Sequence, residues 1–184
     1  IGPEVTFTVN PSLYPKLNYD PVKDFSPISG LVIINHALIL NPQVSAGSVK
    51  DLIALARQSP GELNYGSFGI GSSGHLNMEM FQTLSGAKLT HVPYKGATPA
   101  LTDVMAGHVD MVFDIVSTAL PMWEAGKVKV LGTGGKTRSR IMPNVPTIDE
   151  AGFPGYQALT WFAMVAPPGT PEAITEKIYR DTAQ

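Results

Sequence analysis

The chain has 184 residues, 43% of them hydrophobic, with 13 basic and 15 acidic side chains and a formal charge of −2. That balance supplies enough apolar surface for a packed core and excludes the strong basic excess by which proteins hold nucleic acid or anionic membranes. The absence of cysteine excludes disulfides and thiolate-bound metals.

Ile1-Gly2-Pro3-Glu4 carries no charged-then-apolar leader and reads as the end of a strand entering a loop. Pro11, Pro15, Pro21 and Pro27, interleaved with Tyr14, Tyr19 and Phe25, favour an ordered surface connection over a helix. Apolar residues then predict strands over 28–34 and 37–40. The longest apolar run, 31–40, is interrupted by Asn35-His36 and is far shorter than the roughly 18 residues a membrane helix needs. Ser48-x-x-Asp51 resembles a capping box and opens a helix with Val49, Leu52, Ile53 and Ala56 on one face, ended by Pro60-Gly61.

A strand over 63–67 runs into Ser67-Phe68-Gly69-Ile70-Gly71-Ser72-Ser73-Gly74-His75, after which Leu76, Met80 and Leu84 recur every fourth residue and mark a helix. Gly69 and Gly71 admit positive φ and a close ligand, while the following helix presents unpaired N–H groups and the positive end of its dipole. A carboxylate or a phosphate suits such a loop. Further on, a strand over 89–93 precedes a helix capped by Thr98 with Pro99 at its first position, Leu101, Val104 and Met105 inside and Gly107 past its end. A strand over 109–113, a helix over 117–125 closed by Gly126, and a strand over 128–131 follow. Thr147-x-x-Glu150 and Thr170-Pro171 open two more helices, with a strand over 158–165 between them. This alternation implies βαβ units and a mostly parallel sheet, hence the α/β class. The Pro/Gly-rich stretches 132–146 and 167–171 read as crossings between lobes.

The loop Gly69-x-Gly71-x-x-Gly74 also matches the dinucleotide pattern, so an NADP-dependent oxidoreductase lobe, with Lys95 meeting the 2′-phosphate, is an alternative. Against it, the next strand offers no acid for a ribose hydroxyl. No G-x-S-x-G is present, so hydrolase chemistry has no support. His36, His75, His91 and His108 fall in separate elements and read as isolated structural or surface histidines rather than metal ligands. Asp114 ends a strand where open α/β sheets place ligands, and either accepts from a ligand donor or caps the next helix. Tyr94, before Lys95-Gly96, either lines a cleft or packs on its neighbouring helix. Trp123 and Trp161 read as core or lobe-interface residues.

Taken together, Asn10-Pro11-Ser12-Leu13-Tyr14-Pro15, Tyr19-Asp20-Pro21-Val22-Lys23-Asp24-Phe25, the glycine-serine loop to His75, and His91-Val92-Pro93-Tyr94-Lys95-Gly96 are similar to the tripartite tricarboxylate transporter substrate-binding receptors, the Bug family of periplasmic solute-binding proteins. The likeness continues through Ala106-Gly107-His108-Val109-Asp110, Asn144-Val145-Pro146-Thr147, Glu150-Ala151-Gly152 and residues 166–171. The resemblance implies a type II periplasmic-binding fold, two α/β lobes joined by crossing strands and closing on a small carboxylate. The ligand classes it implies are di- or tricarboxylates, amino acids and aromatic acids, captured for a membrane transporter or sensor. It implies no enzyme, no cofactor and no metal.

Carried over by residue, the resemblance puts the ligand on Ser67, Gly69, Gly71, Ser72 and Ser73, with Asp114 at the opposite edge and Glu4 approaching from the first lobe; Tyr94 joins them as the cleft-lip candidate. It divides the chain into lobe two, 37–130, and a remnant of lobe one with the crossing strands, 1–36 and 131–184. The family has further elements before and after these residues, so a fragment is expected, whose incomplete lobe offers a surface for association.

Overall fold

The computed structural model describes residues 1–183. In chain order the elements are strand β1 (Gly2–Pro3), a π-helical turn (Val5–Val9), helix α1 (Asn10–Leu13), β2 (Ser26–Leu40), α2 (Val49–Gln58), β3 (Asn64–Ser67), α3 (Ser73–Ser85), β4 (Thr90–Pro93), α4 (Ala97–Ala106), β5 (Met111–Ile115), α5 (Val116–Glu124), β6 (Lys129–Thr133), β7 (Leu159–Ala166) and α6 (Glu172–Thr182). They fall into two compact units, Asn35–Leu159, and Ile1–Ile34 with Thr160–Gln184.

In the larger unit, β3 pairs in parallel with β4 and β5, while β2 enters antiparallel to β5 (His36↔Ile115 to Leu40↔Met111) and carries β6 on its other edge. Alternate residues feed two separate cores. Leu38, Leu40, Tyr65, Met111 and Phe113 pack with Val49 and Leu52 of α2 and Met78 and Phe81 of α3. On the opposite face Ala37, Ile39 and Val112 pack with Leu101 and Val104 of α4 and Val116 and Ala119 of α5. A strand buried on both faces reads as a continuous apolar run, which is why residues 37–40 lack alternation.

Asn35-His36 does not interrupt the strand: residues 26–40 are continuous. The His36 amide donates to Ala158 O at 3.1 Å and its carbonyl accepts from Gly134 N at 2.8 Å, so the backbone is satisfied there. The buried face of α3 is Gly74, Asn77, Met78, Phe81 and Ser85, not the expected Leu76, Met80 and Leu84 row, and Leu84 is 55% exposed. Gly74 sets that orientation, since a Cβ there would lie 2.9 Å from Phe113 O, so only glycine lets α3 settle on β5.

Thr98 does not cap α4; Gly96, at φ 126°, does, and Thr98 lies inside the helix. Thr147 and Glu150 form the reciprocal capping bonds (3.0 and 3.1 Å), but no helix develops, because Gly152 takes φ 115° and Pro154-Gly155 follows. After β1 the chain is helical as far as Leu13, and the irregular connection expected from the prolines is confined to residues 14–25. The π-helical turn runs directly into α1, whose Pro11 occupies the first turn, where no N–H is needed.

The unit holding the glycine-serine loop runs to Leu159, beyond the expected limit at 130. Thr133 N donates to Pro146 O and Ile148 N to Thr133 O, both at 2.9 Å, and Met142, Ile148 and Tyr156 are buried in this unit's cores. In the other unit β1 pairs antiparallel with β7, and Phe7 lies edge-on to Phe25 (5.5 Å) and stacked on Trp161 (6.3 Å). Trp161 is thus part of an aromatic cluster rather than the apolar core, while Trp123 packs half-buried against the α4/α5 face.

Candidate functional site

The glycine-serine loop leaves the C-terminal end of β3, where parallel strands of open α/β sheets present their ligands. Gly69 and Gly71 take φ of 126° and 79°, in the left-handed half of conformational space. Ser67 is fully buried and its Oγ accepts from Gly69 N at 3.2 Å. Ser72 Oγ donates to Gly69 O at 2.7 Å and accepts from His75 N at 3.3 Å as the N-cap of α3. The hydroxyls of Ser67 and Ser72 are therefore committed to shaping the loop.

What remains open is the backbone. Among the described residues, the amides of Phe68 and Ile70, the first-turn amides of Ser73 and Gly74, and the Ser73 hydroxyl make no hydrogen bond. Unpaired donors at and beside the N-terminus of a 13-residue helix are chemically suited to an anion. Charge-assisted bonds from such donors are roughly twice as strong as neutral ones.

Beneath the loop lies a feature the sequence reading missed. His75 and His91, expected to be isolated, stack at 4.3 Å between centroids, and His91 stacks on Tyr65 at 4.7 Å. Gly71 N donates to His75 Nδ1 at 3.1 Å, and His91 Nε2 lies 2.7 Å from Ser67 Oγ. Tyr65 Oη donates to Glu79 Oε1 at 2.5 Å, and the same oxygen is 3.9 Å from His75 Nε2. Burial, then the proximity of His75, holds the His91 imidazole below its ordinary pKa, with Glu79 opposing. Burial and the bond to Glu79 push the Tyr65 phenol far up. The fold brings them together: Tyr65 and His91 are register partners on β3 and β4, and His75 lies in the first turn of the helix that follows the loop.

Asp114 is 1% exposed at the end of β5. Its Oδ1 accepts from Ile115 N at 2.7 Å, its Oδ2 has no hydrogen-bond partner, and burial pushes its carboxyl up to about 6. Ala37 pairs with Asp114 on one side and with Thr133 on the other, so those side chains project from one face of the sheet, and the buried Thr133 Oγ1 also lacks a partner.

Tyr94 packs on its neighbouring helix: Tyr94 Oη donates to Asp103 at 2.7 Å, and its ring fills the space a Cβ at Gly66 would enter. Burial and that bond push the phenol up to about 12. Glu4, in the other unit, accepts from Trp161 N at 3.2 Å, so its carboxylate is held by β7. The structure thus keeps Ser67, Gly69, Gly71, Ser72 and Ser73 in one turn between β3 and α3 and gives Tyr94 and Glu4 partners of their own.

Residues 3–184 match the family model described as "Tripartite tricarboxylate transporter family receptor". The chain is 36% identical over 166 residues to the UPF0065 protein in the tcbD-tcbE intergenic region of Pseudomonas sp. strain P51, covering 90% of this chain and 49% of that protein. It is 35% identical over 159 residues to BugT of Bordetella pertussis, covering 86% of this chain and 49% of BugT. Among solved structures, R. palustris Rpa4515 with adipate superposes with a TM-score of 0.91 at 38% identity, covering all of this chain and 61% of that one. MatC of Rhodopseudomonas palustris with bound malate gives 0.86 at 32% identity, covering 99% and 62%. The chain spans about half the length of the curated relatives it matches. These matches lend no support to the dinucleotide alternative.

Proposed function

This chain belongs to the tripartite tricarboxylate transporter receptor family, and from that premise we propose that it is the part of a periplasmic solute-binding receptor that grips a small carboxylate through the loop between β3 and α3. The observation that carries this reading is the set of unpaired amides at Phe68, Ile70, Ser73 and Gly74, in a loop fastened by hydroxyls that are themselves fully used. Adipate and malate in the matched structures support a carboxylate as ligand. On this reading the receptor binds and releases without a catalytic step and hands its cargo to a membrane transporter. Asp114, buried with one unpaired oxygen, faces a donor on the ligand.

A thermal-unfolding and calorimetric screen against adipate, malate, citrate and NADP tests it. A carboxylate at about a hundred times its dissociation constant adds about 2.7 kcal/mol of stability. Ser73→Ala weakens binding by about 1–3 kcal/mol, the loss of a hydrogen bond to a charged group. Saturable NADP binding with no response to any carboxylate overturns the reading.

A further inference from the structure

We propose that His75 is a positioning residue that locks the anion loop only while uncharged, so that the receptor loosens its hold on a carboxylate as its surroundings acidify. The inference rests on the reading of this loop as the carboxylate site. Its first support is the direction of one hydrogen bond. Gly71 N donates to His75 Nδ1 at 3.1 Å, so Nδ1 must carry a lone pair and the ring proton must sit on Nε2, on the Glu79 side. Protonation puts a second N–H at Nδ1, aimed at the amide that already points there. Two donors cannot share that contact, and Gly71, in its left-handed conformation, has to swing away.

His91 braces the other end of the loop in a way that does not depend on its charge, because the one proton of the Ser67 hydroxyl goes to Gly69 O and Nε2 therefore donates to Ser67 Oγ. Its Nε2 is 2.7 Å from Ser67 Oγ, and that oxygen bonds both the N–H and the carbonyl of Gly69 at 3.2 Å. The groups facing the two imidazoles are Tyr65 from β3, Glu79 from α3 and each other. A charge on either ring opposes a charge on its neighbour 4.3 Å away. Glu79 favours charging, but its Oε1 already accepts from Tyr65 Oη and from Gln82 Nε2 at 2.8 Å.

The expected sign is the reverse of simple attraction. A fixed cradle above an imidazolium would hold an anion more tightly in acid. A cradle that requires a neutral His75 loses affinity as that ring takes up a proton, by up to about tenfold per pH unit for the one proton that must leave.

Calorimetry with adipate and with malate at about pH 7.5 and about pH 5.5 reads this directly. Wild-type protein should bind several-fold more weakly at the lower pH. His75→Asn, whose Oδ1 can accept from Gly71 N without titrating, should lose most of that slope and keep more affinity than His75→Ala. The slope should persist in Asp114→Asn, which removes the other buried acid. Equal or tighter binding at low pH in the wild type overturns the proposal, as does a slope that vanishes only in Asp114→Asn. Nitrogen-15 spectra of the imidazoles keep the test independent of any ligand. His75 should be the Nε2–H tautomer, and the Gly71 amide resonance should move with its titration. The Nδ1–H tautomer, or a Gly71 amide that ignores the titration, overturns the proposal, whereas failure of every carboxylate to bind with these spectra as expected overturns the receptor reading instead.

Discussion

The two compact units use similar apolar sequence to opposite effect. Every buried hydrophobic residue of the described chain except Ala166 lies within residues 35–159, where a sheet is covered on both faces by helices. In the other unit, Ile33 is 70% exposed and α6 buries none of its residues, leaving Ile174 and Tyr179 half exposed. The same strand, β2, makes the contrast within itself: residues 36–40 are buried and residues 26–35 are not. Apolar pattern provides the capacity for burial, and a core forms only where another element supplies the second surface. The smaller unit is held by the rings of Phe7, Tyr19, Phe25 and Trp161, and by Tyr19 Oη donating to Thr6 O at 2.8 Å.

The largest test of this contrast is a matched pair of truncations in β2. Leu38, fully buried among α2, α3 and β5 side chains, should cost about 2–5 kcal/mol when replaced by alanine, the sum of lost transfer energy and a cavity. Ile33→Ala, at an exposed position, should stay within about 0.5 kcal/mol. Denaturant unfolding of both variants measures the difference. Comparable losses would mean that the exposed half of β2 is stabilised by contacts as extensive as those of the buried half.

The contrast also explains what was legible in the sequence. Helix α2 was readable because its cap and its apolar face coincide: Ser48 accepts from Asp51 N, and Val49, Leu52, Ile53 and Ala56 are the buried side. The loop was readable because Gly69 and Gly71 do what only glycine does cheaply. The apolar repeat behind the loop locates α3 but not its rotation, because the close approach of Gly74 to Phe113 O brings Met78 and Phe81 inward and leaves Leu84 largely exposed. Thr147 and Glu150 show that a capping box supplies bonds for a helix start but no chain able to continue one. The histidine stack was illegible for a plainer reason. It depends on β3 and β4 being paired in register and on α3 returning over them, and no local pattern contains that information.

The next test concerns how dry the larger unit is. Asp114 is buried with its carboxyl pushed up to about 6 from 3.8, so the folded protein holds that proton more tightly than the unfolded chain. The contribution is therefore present in full below the unfolded value and is lost as pH rises through the folded one. Over that window the stability of wild type relative to Asp114→Asn should fall by roughly 2–3 kcal/mol, since each pKa unit is worth about 1.4 kcal/mol. Chemical denaturation of both proteins between about pH 4 and about pH 7 measures it. A constant difference would place water against Oδ2 and make this end of the sheet wetter than its burial indicates.

The smallest test lies across Ala37 from Asp114. Thr133 is fully buried and its Oγ1 has no hydrogen-bond partner, on the same face of the sheet as the Asp114 carboxyl. An unpaired hydroxyl in an apolar core costs desolvation without return, and valine has nearly the same shape without the polar atom. Thr133→Val should accordingly be neutral or should stabilise the protein by up to about 1 kcal/mol, an unusual sign for a substitution at a fully buried position. Measured beside Asp114→Asn, it separates two descriptions of this face. If both hydroxyl and carboxylate merely strain a dry core, the two substitutions act additively, because the residues lie two strands apart with Ala37 between them. If Thr133→Val instead destabilises the protein, and does so less in the Asp114→Asn background, the two orphan oxygens share a partner over the Ala37 methyl, and the row Asp114, Ala37, Thr133 is a polar seam in the α4/α5 core.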